Sequence, residues 1–373
     1  MENGNRTKVP PASRPLLRGD KSDASQQELE RRLTLERLTR DLDQDFIRTA
    51  TQAAATNYAD IDEDFGRSIV QSNNEGFDKY GFFTKRKEVW VLKDREKGVV
   101  GYQGVSMKRG GSVKINPVII KEEFRGQGMG TYMQAKIQEI YAVAGFRKVY
   151  ATFSFNAPAM FQIFIMDLGW DVEAILRDQY KVGSHDFVGG RIFKPAQKPV
   201  LSFRYGKESS RKIEVTSNIS SVDCSQYERF IVSRMQPHYD EIDVSFARSI
   251  VDATERFSAR GFEVKGKKVF VALDGTEVVG TLVTTPKRGG AVKFSPILLD
   301  DKFASQENIS LLIKTAVEFY AKETTARKPY AIVPFTDIDI IRALLGEGFT
   351  SEGTLREAYK EGVDFHILSK FIR

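Results

Sequence analysis

The sequence of 373 residues predicts a mixed α/β fold that occurs twice along the chain. The first observation is an internal repeat, in which short matches recur in the same order roughly 180 residues apart, far longer than a solenoid repeat. Lys-Arg-Gly-Gly at 108–111 returns at 287–290, and Arg-Ser-Ile-Val at 67–70 returns at 248–251. The second observation is that β-branched runs alternate with segments of helical spacing within each copy.

The repeat divides the chain into four parts. We expect a disordered tail with an amphipathic helix over residues 1–45 and an N-terminal domain over 46–195. A linker over 196–211 then precedes a second domain over 212–373. We also expect the two domains to pack as one body, because similar copies present similar faces to each other.

In the tail, Pro- and Arg-rich residues before about Ala24 predict disorder. Ser25 and Glu28 form a capping box that predicts a helix start. A leucine stripe on that helix favours docking on the domain or pairing with another chain, and it consists of Leu29, Leu33, Leu38 and Leu42.

The first strands follow in a hairpin. Runs rich in β-branched and aromatic residues predict strands at Glu88–Lys93 and Val99–Met107. Gly110-Gly111 supplies the positive φ of a tight turn, and Ser112–Lys121 is a third strand. Because Pro117 cannot donate a ladder hydrogen bond, we expect a bulge or a sheet edge there.

The remaining elements of the copy alternate between helix and strand. Helical spacing predicts helices at Met129–Ala144 and Asn156–Leu168. A strand at Lys148–Phe153 lies between them, and two closing strands follow at Trp170–Tyr180 and Asp186–Phe193.

Composition limits the function classes. The chain is 41% hydrophobic and 28% charged, which allows a buried core, and no apolar run reaches the roughly 18 residues of a membrane span. One cysteine, Cys224, and three histidines predict neither an internal disulfide nor a metal site, so we expect a reducing cytoplasm. The net charge of +6 is spread over mixed-sign segments without a basic block, so we expect no nucleic-acid or membrane partner.

The segment between the third strand and the next helix carries the chemistry. It reads Phe-Arg-Gly-Gln-Gly-Met-Gly-Thr, from Phe124 to Thr131. Three alternating glycines at a strand-to-helix junction let backbone N–H groups converge on an anion, with the positive end of the helix behind them. Thr131 stands where a dinucleotide fingerprint needs Gly or Ala, and the Gly-Lys-Ser/Thr of a P-loop is absent.

Arg-x-x-Gly-x-Gly at 125–130, after a hairpin and before a helix, resembles the acetyl-CoA loop of the GNAT superfamily of N-acyltransferases. The resemblance covers the order of elements in each copy, with Asn-x-x-Ala at 156–159 and Gly169-Trp170 at their usual places. It implies that the strands at 112–121 and 148–153 splay apart to admit acetyl-CoA or another acyl-CoA.

The resemblance also implies the cofactor contacts. The backbone of one strand end would pair with the pantetheine amides, and this end comprises Ile119, Ile120 and Lys121. The loop would hold the pyrophosphate through Arg125, Gly126, Gln127, Gly128, Met129, Gly130 and Thr131. Asn156 would lie near the pantetheine or the reacting centre.

One position departs from the family pattern. The tyrosine that commonly stands four residues before the Gly-aromatic pair is replaced by Ile165, with Phe164 beside it, and neither can donate a proton. We expect the helix to present position 165 toward the cofactor sulfur. Substitutes for the missing catalytic group are Asn156, Ser154, Tyr180 and His185, with Asp186 a further one. Water-mediated deprotonation of the amine is a remaining alternative.

In the second copy, Ala304–Ile309 aligns with the loop and lacks its arginine and its glycines, while Glu307 adds a negative charge. Only the N-terminal half is therefore expected to bind the cofactor. Two functions stay open. The first is transfer of an acyl group to a primary amine of a small molecule, peptide or protein. The second is a non-catalytic scaffold with structural CoA binding and a protein partner at the N-terminal helix or the C-terminal domain.

Overall fold

The computed structural model describes residues 23–75, 84–197, 211–259 and 266–373. Helices and strands alternate through all four ranges, with short 3₁₀ turns between some of them. The helices are α1 (Asp23–Arg32), α2 (Asp43–Asn57), α3 (Glu63–Glu75), α4 (Met129–Val143), α5 (Pro158–Phe161), α6 (Cys224–Met235), α7 (Val244–Asp252), α8 (Gln306–Glu323) and α9 (Ile338–Gly346).

The strands fall into two series. The N-terminal series is β1 (Leu33–Arg37), β2 (Thr84–Asp94), β3 (Gly98–Lys108), β4 (Ser112–Ile120), β5 (Lys148–Ser154), β6 (Asp171–Lys181) and β7 (Ser184–Ile192). The C-terminal series is β8 (Glu214–Thr216), β9 (Lys268–Asp274), β10 (Glu277–Pro286), β11 (Ala291–Leu299), β12 (Lys328–Pro334), β13 (Thr350–Leu355) and β14 (Phe365–Ser369). We call the parts of the chain that carry these series the N-terminal half and the C-terminal half.

All these strands join one sheet of 14 strands, in the order β1-β2-β3-β4-β5-β7-β6-β13-β14-β12-β11-β10-β9-β8. The two halves meet where β6 pairs with β13, with Ala174 opposite Gly353. From that seam outward, each half runs through corresponding strands in the same order. The fold is therefore mixed α/β, as the sequence predicts.

The sheet opens at one place in the N-terminal half. β4 and β5 are parallel, and their pairing runs from Ser112 opposite Lys148 only as far as Ile115 opposite Ala151. Beyond that point the two strands splay, in agreement with the prediction. On the other side of β4, Asn116-Pro117 forms the predicted bulge, because the register with β3 shifts between Gln103 and Val105.

The helices cover both faces of the N-terminal sheet. On one face, α2 and α3 bury Phe46 and Ile69 against Val91 and Tyr102. On the other face, α4 packs through Ile137 onto a core that also holds buried aromatic rings. This placement leaves the splay between β4 and β5 flanked by helices on both faces.

The turns of the two halves interlock at the seam. Gly110 and Gly111 have φ of 80° and 74°, as predicted for the hairpin. A Cβ on Gly110 would lie 2.0 Å from the carbonyl oxygen of Tyr359, and one on Gly289 would lie 2.1 Å from that of Tyr180. Each half therefore packs a glycine turn onto the backbone of the other, and one buried core cluster contains residues of both halves.

The predicted N-terminal helix is wrong beyond Arg32. The helix ends there, and Leu33 begins β1, which pairs antiparallel with β2 from Leu33 opposite Asp94. The ion pair between Arg32 and Asp94, at 2.5 Å, lies at this junction, and Leu33 is buried in the paired strand. Residues 1–22 and most of the predicted linker lie outside the described residues.

The predicted helix over Asn156–Leu168 is divided. It consists of the short α5 and a π-helical segment over Gln162–Asp167. A π turn adds one residue to the helical ring, so it changes which side chains face the sheet. Across the described ranges, every helix is too short or too polar to cross a lipid bilayer.

Candidate active site

A cavity of about 80 Å³ occupies the splay between β4 and β5. The bulge residues Asn116 and Pro117 form one wall of this cavity, and Thr152 and Ser154 of β5 form another. Helix α2 and Tyr58, the residue that follows it, close the cavity on one face of the sheet. Residues that include Met160 and Phe164 close it on the other face. The cavity therefore passes through the sheet where the two strands separate.

Tyr58 is the only titratable residue among those that line this cavity in the described structure. Its phenolic oxygen lies 3.4 Å from the carbonyl oxygen of Thr152. Burial, together with the negative charge of Asp186 nearby, raises the pKa of the Tyr58 phenol, so it keeps its proton at neutral pH. Sequence reasoning missed this residue, because Tyr58 belongs to no motif and reaches the site only through the packing of α2.

Two of the predicted candidates, Ser154 and Asn156, lie together at the end of β5. The Ser154 hydroxyl is 3.0 Å from that of Ser184, and it accepts a hydrogen bond of 3.1 Å from the Asn156 N–H. The Asn156 amide donates to the Ser184 oxygen at 3.3 Å. Ser154 lines the cavity, whereas Asn156 is exposed and is not one of the lining residues.

The other two candidates lie elsewhere. Tyr180 contacts Tyr58 edge to face, with ring centroids 5.3 Å apart, but it lines a different and larger cavity. His185 lies on the opposite face of β7 from Asp186 and packs edge-on against Phe155. Its Nδ1 is 3.4 Å from the Asp178 carboxylate, so the histidine pairs with its own turn rather than with the cavity.

Asp186 is buried, at 1% exposure, and neither of its carboxylate oxygens has a hydrogen-bond partner among the described residues. Burial raises the pKa of this carboxyl to about 7, against the opposing charges of Lys114 and Lys328. The carboxyl faces the larger cavity side of the sheet, as Val188 two residues later does. Within the described ranges, no three metal-ligating side chains cluster.

The π-helical segment corrects the expectation for the missing tyrosine. We expected position 165 to face the cavity, but Phe164 lines it, and its ring stacks on Trp170 with centroids 4.3 Å apart. Ile165 instead approaches Gly189, where it lies 3.4 Å from the site of a Cβ. The additional residue of the π turn shifts the inward-facing position by one.

The glycine loop leads directly into α4. Gly126 and Gly128 have φ of 74° and 79°, and Gly128 caps the helix without any side-chain cap. The backbone N–H groups of the loop, from Gly126 to Thr131, have no backbone partner in the described structure. The next N–H, that of Tyr132, donates to the Gly128 carbonyl at 3.0 Å. The beginning of α4 therefore offers several unpaired donors and the positive end of the helix.

The other loop residues have structural contacts. Gly130 allows close packing, because a Cβ there would lie 2.9 Å from Ile163, and the Thr131 hydroxyl donates to Asp167 at 2.8 Å. Arg125 is exposed, and its Nε donates to the Ile120 carbonyl at 3.1 Å. The Lys121 N–H donates to Val100 at 2.9 Å, so this amide is already engaged by β3.

In the C-terminal half, the N-terminus of α8 stands at the corresponding position, and a side chain there caps the helix. Ser305 caps α8, and its hydroxyl accepts from the Asn308 N–H at 3.3 Å. The Asn308 amide in turn donates to the Phe303 carbonyl at 3.0 Å. Glu307 stands in the first turn, where it compensates the helix end. The N-terminus of α8 therefore offers an anion fewer unpaired backbone N–H groups than the N-terminus of α4 does.

Comparisons with known proteins point to one family. No curated protein matches the sequence. Among solved structures, spermidine N-acetyltransferase from Vibrio cholerae in complex with CoA and spermine matches 43% of this chain and 96% of its own, with 14% identity and a TM-score of 0.35. IAA acetyltransferase from Bacillus cereus matches 43% of this chain and 99% of its own, with 14% identity and a TM-score of 0.33. Ard1 from Thermoplasma volcanium matches 43% of this chain and 97% of its own, with 17% identity and a TM-score of 0.35. These TM-scores are too low to support an activity or a substrate for this chain.

The family comparison covers the part of the chain that contains the cavity and the glycine loop. The model of the Acetyltransferase (GNAT) family matches residues 51–161, from within α2 to the end of α5. This range includes the splayed strands β4 and β5 and the uncapped N-terminus of α4. Residues 51–161 therefore carry an acetyltransferase domain of the GNAT family.

Proposed function

We propose that the N-terminal half transfers an acetyl group from acetyl-CoA to a primary amine of an acceptor. The observation that carries this proposal is the cavity in the splay between β4 and β5, which begins on the same strand that leads into the open glycine loop. The residues fit the cofactor. The uncapped N–H groups before Tyr132 suit a pyrophosphate, and the narrow opening suits a pantetheine arm.

Each part of the loop has a proposed role. The N–H groups from Gly126 to Thr131 would bind the pyrophosphate, and the exposed Arg125 would add a cation beside them. The unpaired edge of β4 around Ile119 and Ile120 would pair with the pantetheine amides. Acetyl-CoA would supply the activated acetyl thioester.

Tyr58 is the proposed general acid. The phenol lines the cavity and carries its proton on Oη at neutral pH. It is therefore placed to give a proton to a departing thiolate. Thr152 and Ser154 add polar oxygens to the same cavity, which can orient an amine or a water.

We further propose that the C-terminal half is a duplicated copy without a cofactor site, so that each chain binds one acetyl-CoA. Support comes from the corresponding strand order of the two halves and from the Ser305 cap on α8. The C-terminal half would then act by packing against the N-terminal half and by shaping the acceptor side. The domain boundaries at 46–195 and 212–373 remain predictions.

Titration calorimetry with acetyl-CoA and CoA on the full chain tests this function. We expect one site per chain, and thiol release in the presence of an amine panel. Gln127→Glu places a carboxylate in the loop at an exposed position and should weaken CoA binding at least about tenfold. The matched control is Gln306→Glu, at the equivalent exposed position, which is the first residue of α8, and it should leave the affinity unchanged. Two equivalent sites, or equal effects of the two variants, would contradict the proposal.

A non-catalytic scaffold that binds CoA is the second candidate. It is favoured by the lining of the small cavity, where the described residues include no carboxylate that could act as a base. Tight CoA binding with no thiol release over a broad amine panel would favour this candidate.

A further inference from the structure

One buried carboxyl group has no part in the function proposed above. Asp186 of β7 is 1% exposed, and within the described structure neither of its carboxylate oxygens has a hydrogen-bond partner. Burial without hydrogen bonds lowers the stability of a fold, because the carboxyl group loses its hydration and gains no partner in return. A carboxyl group that is retained under such conditions requires an explanation other than packing, and catalysis is one.

The C-terminal half shows that this position in the fold needs no carboxyl group. In the pair of β5 and β7, Ser154 lies opposite Asp186, and in the corresponding pair of β12 and β14, Pro334 lies opposite Phe365. Phe365 is completely buried in the core cluster at the seam. An aromatic ring at this position stabilises the core by its burial and requires no hydrogen-bond partner. Asp186 therefore stands where an apolar residue would be less costly.

The two halves also differ around one tyrosine. Phe365 packs on Tyr239, with ring centroids 5.1 Å apart. The corresponding tyrosine of the N-terminal half is Tyr58, and both lie against a tyrosine of the seam. Asp186 acts on Tyr58 by its charge instead, since burial and then this negative charge raise the pKa of the phenol. A carboxyl group therefore lies near the proposed general acid, where the C-terminal half has a phenyl ring.

The strands around Asp186 are polar where they border the small cavity between β4 and β5. Thr152 and Ser154 line this cavity, and the Ser154 hydroxyl lies 3.0 Å from that of Ser184, two residues before Asp186. The three corresponding residues of the C-terminal half are all apolar, and they are Ile332, Pro334 and Val363. The N-terminal half thus has polar side chains from the cavity to Asp186 at positions that the C-terminal half fills with apolar ones.

Asp186 lies within reach of an amine in the small cavity. Residues that lie opposite each other in an antiparallel pair have Cβ atoms about 4.5–5.5 Å apart on the same face of the sheet. Ser154 and Asp186 form such a pair, and Ser154 lines the cavity. An amine that contacts the Ser154 hydroxyl therefore lies next to the Asp186 carboxyl group, and catalytic hydrogen bonds commonly tighten once the substrate is bound.

We propose that Asp186 is the general base for the acceptor, an alkyl amine that reaches the cavity as an ammonium ion. The inference rests on the proposed function and deepens it. In the proton transfer, an N–H bond of the ammonium group breaks and an O–H bond forms on the carboxylate. The neutral nitrogen then bonds to the acetyl carbon as the carbon–sulfur bond breaks. Tyr58 gives its proton to the sulfur and regains one from the nitrogen, and Asp186 releases its proton to solvent.

The charges around Asp186 suit a base. The titratable groups that interact with it electrostatically are Lys114, Lys328, Tyr58 and Tyr180. Burial raises the pKa of the Asp186 carboxyl group to about 7, against the two lysines, so its carboxylate binds a proton more readily than an exposed one does. Burial lowers the pKa of Lys114 to about 8. The ammonium group of an acceptor in the same surroundings would therefore lose its proton more easily than in water.

The test compares the pH dependence of thiol release in the original chain and in Asp186→Asn, with acetyl-CoA and an amine panel that includes n-butylamine. In the original chain, kcat/KM should rise with pH and level off above about pH 7, as the carboxyl group loses its proton. Asp186→Asn should lower kcat/KM at least about 10²-fold at about pH 8 and abolish this inflection, while the affinity for CoA stays unchanged. The matched control is Asp171→Asn, at an exposed carboxyl group on the neighbouring β6, which should leave both quantities unchanged.

The outcomes separate this inference from the proposed function. Thiol release that is equally fast in Asp186→Asn, or that keeps its inflection there, would overturn the inference and leave acetyl transfer intact. No thiol release by the original chain with any amine would refute acetyl transfer, and the inference with it. If the asparagine variant fails to fold, formate should restore part of the rate of Asp186→Ala and should not accelerate the original chain. Equal effects of formate on both chains would again overturn the inference.

Stability gives a second readout that needs no turnover. Between the ordinary pKa of 3.8 and about 7, the folded chain binds more protons at Asp186 than the unfolded chain, so stability falls as the pH rises. The gain in melting temperature of Asp186→Asn over the original chain should therefore be larger at about pH 8.5 than at about pH 4.5. A gain that does not depend on pH would show that folding leaves the pKa of this carboxyl group unchanged, and it would overturn the role of Asp186 as a buried base.

Discussion

The Nζ of Lys148 lies 2.6 Å from the Oε2 of Glu173, and both side chains are almost completely excluded from solvent. The same ammonium group donates to the carbonyl of Arg356, across the seam. The C-terminal half repeats this arrangement, with Lys328 2.9 Å from Glu352 and donating to the carbonyl of Arg177. Each half thus fixes a buried cation on the backbone of the other.

Removal of one of these buried carboxylates should lower the stability of the fold. Glu173→Ala leaves the Lys148 ammonium buried without its partner, which we expect to lower the free energy of unfolding by about 3–5 kcal/mol. Glu352→Ala should have a similar effect through Lys328. The control is Glu318→Ala, which removes an exposed pair with Lys322 and should cost at most about 1 kcal/mol. Denaturant titration checks these values, and equal losses for Glu173→Ala and Glu318→Ala would contradict the argument.

The glycine turns offer a second test of the seam. Gly289→Ala combines a φ of 76° with a Cβ only 2.1 Å from the Tyr180 oxygen. Gly275→Ala has a φ of 60° but no atom within 4 Å, so it reports the backbone cost alone, about 1 kcal/mol. We expect Gly289→Ala to cost more by at least about 1 kcal/mol in urea unfolding, because the two halves must move apart. Equal costs would mean that the turn does not pack against the other half in solution.

Much of the fold could be predicted because local patterns agree with the final structure. The β-branched runs at Glu88–Lys93 and Val99–Met107 lie within β2 and β3, and Pro117 marks the bulge. The prediction of an N-terminal helix is wrong from Leu33 onward, because pairing with β2 decides the conformation there and the helical spacing of the leucines does not. Tertiary pairing overrode a local pattern at this junction.

The site could be predicted only in part, for a similar reason. The glycine loop is contiguous in sequence, so its motif indicates an anion site at the start of α4. Tyr58 reaches the cavity by the packing of α2 on the sheet, and Phe164 faces it because of a π turn.

Tyr58→Phe tests the proposed proton donor. The substitution removes only the hydroxyl, which lies 3.4 Å from the Thr152 carbonyl, so we expect little loss of stability. The rate constant kcat for acetyl transfer should fall by about 10²-fold, while the affinity for CoA stays unchanged. Steady-state kinetics and calorimetry measure the two quantities. An unchanged kcat would exclude Tyr58 as the general acid.

A second phenol in the same cavity should restore part of that loss. In the Tyr58→Phe background, Phe164→Tyr places a hydroxyl on a ring that lines the cavity, and kcat should rise again. Ile165→Tyr is the matched control, because position 165 faces Gly189 outside the cavity, and it should not rescue the rate. Melting temperatures show whether the new hydroxyl disturbs the stacking on Trp170. Rescue by Ile165→Tyr alone would restore the original expectation that position 165 faces the site.

Lys293→Met should change stability in a pH-dependent manner. Burial lowers the pKa of Lys293 to about 7 in the folded chain, from an ordinary value of 10.5. The Tyr359 phenol lies 3.3 Å from its Nζ, and the charge of Lys293 lowers the pKa of nearby Lys114. Between these two pKa values the unfolded chain binds more protons than the folded chain, so stability rises with pH across this window. Below about pH 7 the cost of the buried cation is present in full, and near pH 10 it is nearly gone.

The methionine variant lacks this cost at every pH. Its gain in melting temperature over the original chain should therefore be larger at about pH 6 than at about pH 10, in a buffer of monovalent anions. A gain in melting temperature that is independent of pH would show that the pKa of Lys293 is not shifted by folding. A gain that grows with pH would show that folding raises this pKa.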